Sequence, residues 1–126
     1  VHMAAGLGLL PGVIVDQHFE ARNRLGRLLA IIAQNPSLLG IGVDEDTAGV
    51  VGPDRVLEVV GRRSITIIDG AESETDAWEV KAHRPMMISN VVLHSLPSGY
   101  RFDLRRRERV APPRLHALPG AAAASR

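Results

Sequence analysis

The chain has 126 residues, 45% of them hydrophobic and 23% charged, with no cysteine. That is enough for one hydrophobic core but not for two, and the lack of a thiol excludes a cysteine nucleophile, a disulfide frame and Cys-based metal or redox sites. Fifteen basic against fourteen acidic side chains leave a net charge of +1, so no global field draws the chain to nucleic acid, and no apolar run approaches the ~20 residues of a membrane helix.

The opening stretch from Met3 to Val15 is broken by three glycines and Pro11 and has no basic leader. It is a poor signal peptide, and a cytoplasmic location is expected. Next, Gly12-Val13-Ile14-Val15-Asp16 is a short β-branched run ending in a carboxylate, the pattern of a buried strand. A helix follows, with Asn23 as its expected N-cap and Gln34-Asn35-Pro36 as its stop. Leu25, Leu28, Leu29 and Ile32 give it one core-facing stripe. Residues 38–43 form a second apolar strand that ends in Asp44-Glu45-Asp46. Strand, helix and strand within about thirty residues is the pattern of a βαβ unit in a parallel sheet.

Beyond this point the texture turns antiparallel. Residues 47–51, 56–60 and 65–69 read as short strands separated by two hairpin-like turns, Gly52-Pro53-Asp54 and Gly61-Arg62-Arg63. Residues 86–93 and 100–104 read as two more, joined by Pro97-Ser98-Gly99, while 70–77 is polar and carries no clear element. The fold expected is α/β with an antiparallel extension. A parallel sheet needs helices on both faces, and one visible helix is too few, a hint that part of the domain is missing. Residues 1–100 carry a net charge of −4 and residues 101–126 one of +5. The last stretch, 111–126, is Pro- and Ala-rich without an apolar period and reads as a disordered tail on a folded unit spanning 1–110.

Most motifs fail. Gly6-x-Gly8-x-x-Pro11 imitates a dinucleotide fingerprint, but proline replaces the third glycine and a strand follows it. No metal-ligand spacing links the five histidines, and no serine sits in a Gly-x-Ser-x-Gly elbow. The run Asp16-Gln17-His18-Phe19-Glu20-Ala21-Arg22-Asn23-Arg24-Leu25-Gly26-Arg27 is different. It lies between the end of a buried strand and the start of a helix, where open α/β sheets place ligands. Arg22, Arg24 and Arg27 crowd the positive end of a helix, where each basic residue is disfavoured by ~0.3–1 kcal/mol; together with that helix end they suit a carboxylate or other anion. Taken singly, these features have plainer readings: solvated arginines, a hydrogen-bonded structural histidine, acidic turn formers. Taken together, His18 and a carboxylate after the next strand suit a base and its orienting acid. The five arginines among residues 101–109 are compatible with nucleic acid or an acidic partner, but Phe102 and Leu104 alternate with the charges as in an edge strand.

The stretch from Gly6 to Ala48, with DQHF followed by RxRLGRL and then GIGVDEDTA, resembles the second half of the cyanophycinases, serine peptidases related to aspartyl dipeptidase (peptidase E). The resemblance implies the C-terminal portion of a three-layer, mostly parallel sheet domain of the class I glutamine amidotransferase or flavodoxin-like kind, with an antiparallel β extension. It also implies hydrolysis of cyanophycin, a poly-aspartate carrying arginine on each β-carboxyl, to β-aspartyl-arginine. Residue by residue it makes His18 the general base, Glu45 the acid that orients it, and Asp16, Gln17, Arg22, Arg24 and Arg27 the substrate pocket. No cofactor, metal, nucleic acid or membrane is implied, and the full-length parent is expected to be a homodimer. The family's serine precedes the matched stretch, so this chain alone is expected to be inactive. An aspartyl or isoaspartyl dipeptidase is the nearest alternative, and a non-catalytic module that binds anionic peptides is another.

Overall fold

The computed structural model describes residues 10–17, 21–76 and 86–111, with helix side chains from residue 24 onward. Strand β1 (Val13–Gln17), helix α1 (Ala21–Gln34) and strand β2 (Leu39–Val43) form the expected βαβ unit. The two strands pair in parallel and level, Val13 beside Leu39 and Gln17 beside Val43. Helix α1 stops where Asn35 donates to the Ile31 carbonyl through both its backbone N–H (3.1 Å) and its Nδ2 (3.0 Å). Pro36 then has no N–H with which to extend the helix.

Three antiparallel strands follow: β3 (Thr47–Val51), β4 (Val56–Gly61) and β5 (Ser64–Asp69). A two-residue pair, β6 (Glu74–Thr75) and β7 (Ile88–Ser89), stands apart, and β8 (Val92–Pro97), β9 (Arg101–Asp103) and β10 (Glu108–Val110) complete the order. The larger strands divide between a sheet ordered β1-β2-β5-β8 and a sheet ordered β10-β9-β4-β3.

Side-chain alternation along β2 sets the layers. Leu39 and Ile41 join Ile65 and Ile67 of β5, Leu57 and Val59 of β4, and Phe102 in a core between the two sheets. Gly40 lies on the other face, where an added Cβ would stand 3.0 Å from Cγ1 of Ile32 and 3.2 Å from Cδ1 of Leu28. The helix therefore rests almost on the backbone of β2. Leu28, Ile32 and Ile68 form a second, smaller core there, flanked by Leu25 and Leu29, so the predicted stripe is the packed face.

The structure departs from the sequence expectations at several points. Helix α1 begins at Ala21, so Asn23 is its third residue and not its N-cap. Among the described strands only β1–β2 pair in parallel; β2–β5 and β5–β8 are antiparallel. The second face of the main sheet is covered by the other sheet instead of by helices. Gly52-Pro53-Asp54 does turn a hairpin from β3 to β4, but Gly61-Arg62-Arg63 carries the chain from one sheet to the other. The strand expected over 86–93 is interrupted at Asn90, whose φ of +60° ends β7 before β8 begins. Pro97 is tolerated in β8 because that strand is an edge. Strand β10 was not foreseen, and residues 112–126 of the expected tail lie outside the described residues.

The arginine-rich segment is mostly a tight turn. Asp103 Oδ1 accepts from the backbone N–H of Arg105 and Arg106, both at 2.9 Å, and the Arg106 bond in particular holds its carboxyl below the usual carboxylate range. Arg107, at φ +57°, reaches back to Asp69 Oδ1 at 2.8 Å and to the Ser37 carbonyl, tying the two sheets together.

Near this tie, His94 of β8 faces the inter-sheet core and meets Phe102 edge-on at 4.8 Å. Its Nε2 is buried and has no hydrogen-bond partner among the described residues. Burial lowers the imidazole pKa; Asp69 opposes the shift and Arg109 adds to it. The folded state thus disfavours the proton that the unfolded chain accepts. The stabilising contribution of neutral His94 should be complete above the ordinary imidazole pKa of about 6.5 and decline as the pH falls through the lowered folded value. Urea unfolding between pH 8 and pH 5 should show this loss in the wild-type chain and a flatter profile in His94→Gln.

Candidate functional site

Because β1 and β2 run parallel and end level, their carboxyl ends bring Gln17 beside the Asp44–Asp46 turn. Here the chain leaves the main sheet for β3, and close by it returns from β4 to β5. The two crossings brace each other. Asp44 N–H donates to the Ser64 carbonyl (3.3 Å), and Ser64 N–H donates to Asp44 Oδ2 (3.2 Å). Arg62 N–H donates to the Asp46 carbonyl (2.9 Å), and Arg63 N–H to Thr47 Oγ1 (3.0 Å). The Thr47 hydroxyl in turn donates to the Glu45 carbonyl at 3.1 Å. Glu45 is therefore an exposed side chain on a backbone held from both sides.

A cleft of about 340 Å³ opens at this corner, with Val15 and Val43 as its apolar wall, Gln17, Thr47 and the acidic run Asp44-Glu45-Asp46 as its polar lining, and Ala48 and Gly49 on β3 keeping it open. The sequence reading placed Gln17 and Glu45 here but overlooked the small β3 residues. Their signal, a Thr-Ala-Gly opening to a strand, is visible only once β3 is known to cross the mouth.

Asp16 and Gln17 point to opposite faces of β1. Asp16 lies on the helix side, level with Gly42 and Thr66, and is 0% exposed. Arg24 Nη1 stands 3.8 Å from its Oδ1. Arg27 is exposed one turn further along α1. The structure thus brings Gln17 together with Glu45, and Asp16 together with Arg24, as two groups on either side of β1. His18 and the side chain of Arg22 lie outside the described residues. Among the described residues no group of His, Asp or Glu could hold a metal ion, and no helix is long and apolar enough to cross a membrane.

Fold and site together define an α/β domain with a cleft at the carboxyl end of a parallel strand pair. Its homologues are cyanophycinases. The chain is 50% identical over 108 residues to the cyanophycinase of Trichormus variabilis, covering 85% of this chain and 36% of that protein. It is 46% identical over 112 residues to that of Geminocystis herdmanii, covering 88% of this chain and 41% of the relative. It is also 46% identical over 106 residues to that of Thermosynechococcus vestitus, covering 83% and 33%. The chain therefore spans only about a third to two fifths of the length of these relatives. No family model matches it.

The brace around Glu45 depends on Gly61, at φ +114°, where an added Cβ would overlap the Asp46 carbonyl oxygen and stand 2.8 Å from Cα of Thr47. Gly99, at φ +94°, has open space around the same position. Gly99→Ala should cost only the conformational penalty, about 1–2 kcal/mol. Gly61→Ala should cost clearly more, since backbone must also move; urea unfolding of the two variants side by side measures the difference.

Proposed function

We propose that this chain is part of a cyanophycin-hydrolysing serine peptidase and carries the base, the acid and the arginine pocket of its active site. The single observation that carries the reading is the meeting of Gln17 and Glu45 in one cleft beside the carboxyl end of β1, within a stretch 46–50% identical to cyanophycinases. In this reading His18, the residue after Gln17, removes the proton from a serine hydroxyl supplied by the remainder of the parent domain, a three-layer domain of the glutamine amidotransferase kind. Glu45 accepts from the other imidazole nitrogen, fixing the tautomer and stabilising the imidazolium that forms. The serine oxygen attacks the scissile carbonyl, and the same imidazolium then protonates the leaving amine.

Recognition falls to the arginines and to Gln17. Arg22, Arg24 and Arg27 suit an aspartate carboxylate or chain terminus, because a guanidinium offers paired donors in the plane a carboxylate needs. The Gln17 amide suits the peptide groups of the substrate. Without a nucleophile, base and pocket can bind but cannot form an acyl-enzyme, so the isolated 126-residue chain should not release β-aspartyl-arginine from cyanophycin.

Kinetics of the full-length parent test the assignment. His18→Ala should lower kcat by several orders of magnitude, and Glu45→Gln by less. Arg27→Ala should mainly raise KM, each lost charge-assisted contact costing roughly 1.5–3 kcal/mol. Near-normal turnover by a folded His18→Ala variant would reject the reading. Preference for free β-aspartyl dipeptides over cyanophycin would move the protein to the aspartyl dipeptidase class.

A further inference from the structure

Asp16 is the one fully buried carboxylate among the described residues, and neither of its oxygens receives a hydrogen bond there. Burying a carboxylate without such partners is costly, so a neutral residue of the same size would serve the fold at least as well. Nor can Asp16 touch a ligand in the cleft as the chain stands. It exposes no surface, and strand alternation turns it away from Gln17 and Glu45. What faces it is Arg24, whose Nη1 is 3.8 Å from Oδ1 and whose side chain remains 33% exposed.

Arg24 needs such a partner. It sits in the opening turns of α1, which has no acidic residue in its first turn, so the helix macrodipole pushes the guanidinium outward. A fixed negative charge beneath it opposes that push. At 3.8 Å the contact is an ion pair too long for a hydrogen bond, which leaves the guanidinium donors available to a second anion.

We infer that Asp16 is a positioning residue: its buried carboxylate holds the Arg24 guanidinium at the sheet edge, with its remaining donors presented to a substrate carboxylate, and does not itself contact substrate. This rests on the reading of Arg24 as a substrate ligand. The substrate group it selects is an anion, and the role replaces direct contact of Asp16 with substrate in the pocket.

The test uses Asp16→Asn, Arg24→Ala and the double variant in the full-length parent, with cyanophycin as substrate, together with the ¹⁵N signals of the Arg24 side chain. Asp16→Asn should leave the folded state intact on thermal unfolding, raise KM about tenfold with kcat little changed, and broaden or shift the Arg24 guanidinium signals. The double variant should match Arg24→Ala alone, because two residues acting through one contact are not additive. Effects on KM that multiply in the double variant would overturn the inference, since Asp16 would then act independently of Arg24. Unaltered Arg24 signals in Asp16→Asn would overturn it as well. An unchanged KM in Arg24→Ala would instead reject Arg24 as a substrate ligand, and the positioning role would fall with that reading.

Discussion

Strand β2 has to satisfy two incompatible neighbours, and it does so by alternation. Leu39 and Ile41 feed the core between the sheets, while Gly40 leaves the opposite face bare so that Ile32 and Leu28 can settle on the backbone. A side chain at Gly40 would lift the helix away from the sheet. Since α1 leads directly from β1 to β2, its height above the sheet also sets how closely its opening turns approach the end of β1. Arg24 and Asp16 meet because β2 is small on one face and large on the other.

The second constraint is the pair of crossings between the sheets. A strand that leaves one sheet for another normally exposes backbone donors and acceptors at the bend, and buried or half-buried groups of that kind need partners. Here each crossing supplies the other's partners through Asp44, Ser64, Arg62, Asp46 and Thr47. The result is a turn rigid enough to hold a carboxylate side chain at a strand end without burying it. A backbone fixed by hydrogen bonds in this way gives a side chain a defined starting point.

Charge is handled differently on the two sides of β1. In the cleft the polar groups are exposed and water can screen them. On the helix side Asp16 is buried beneath Arg24, where screening is weak and the pairing is correspondingly directional. At the far end of the molecule Arg107 uses its guanidinium structurally, joining Asp69 and the Ser37 carbonyl across the sheets. The basic bias of the last segment is therefore partly consumed inside the fold.

The amino-acid sequence by itself determined the βαβ unit, the core stripe of α1, the β3–β4 hairpin and the position of the candidate residues at the ends of β1 and β2. Each follows from local periodicity, turn chemistry and chain order, and the motifs between Gly6 and Ala48 carry the resemblance to cyanophycinases. Only the tertiary structure decided that β4 and β5 part company at Gly61, that a second sheet takes the place of a helical layer, and that β10 joins β9. It alone also separated Asp16 from Gln17. Adjacent residues of a strand look equivalent in a motif, but the two-residue period sends them to opposite faces, and which face holds the helix and which the cleft depends on packing between elements far apart in the chain.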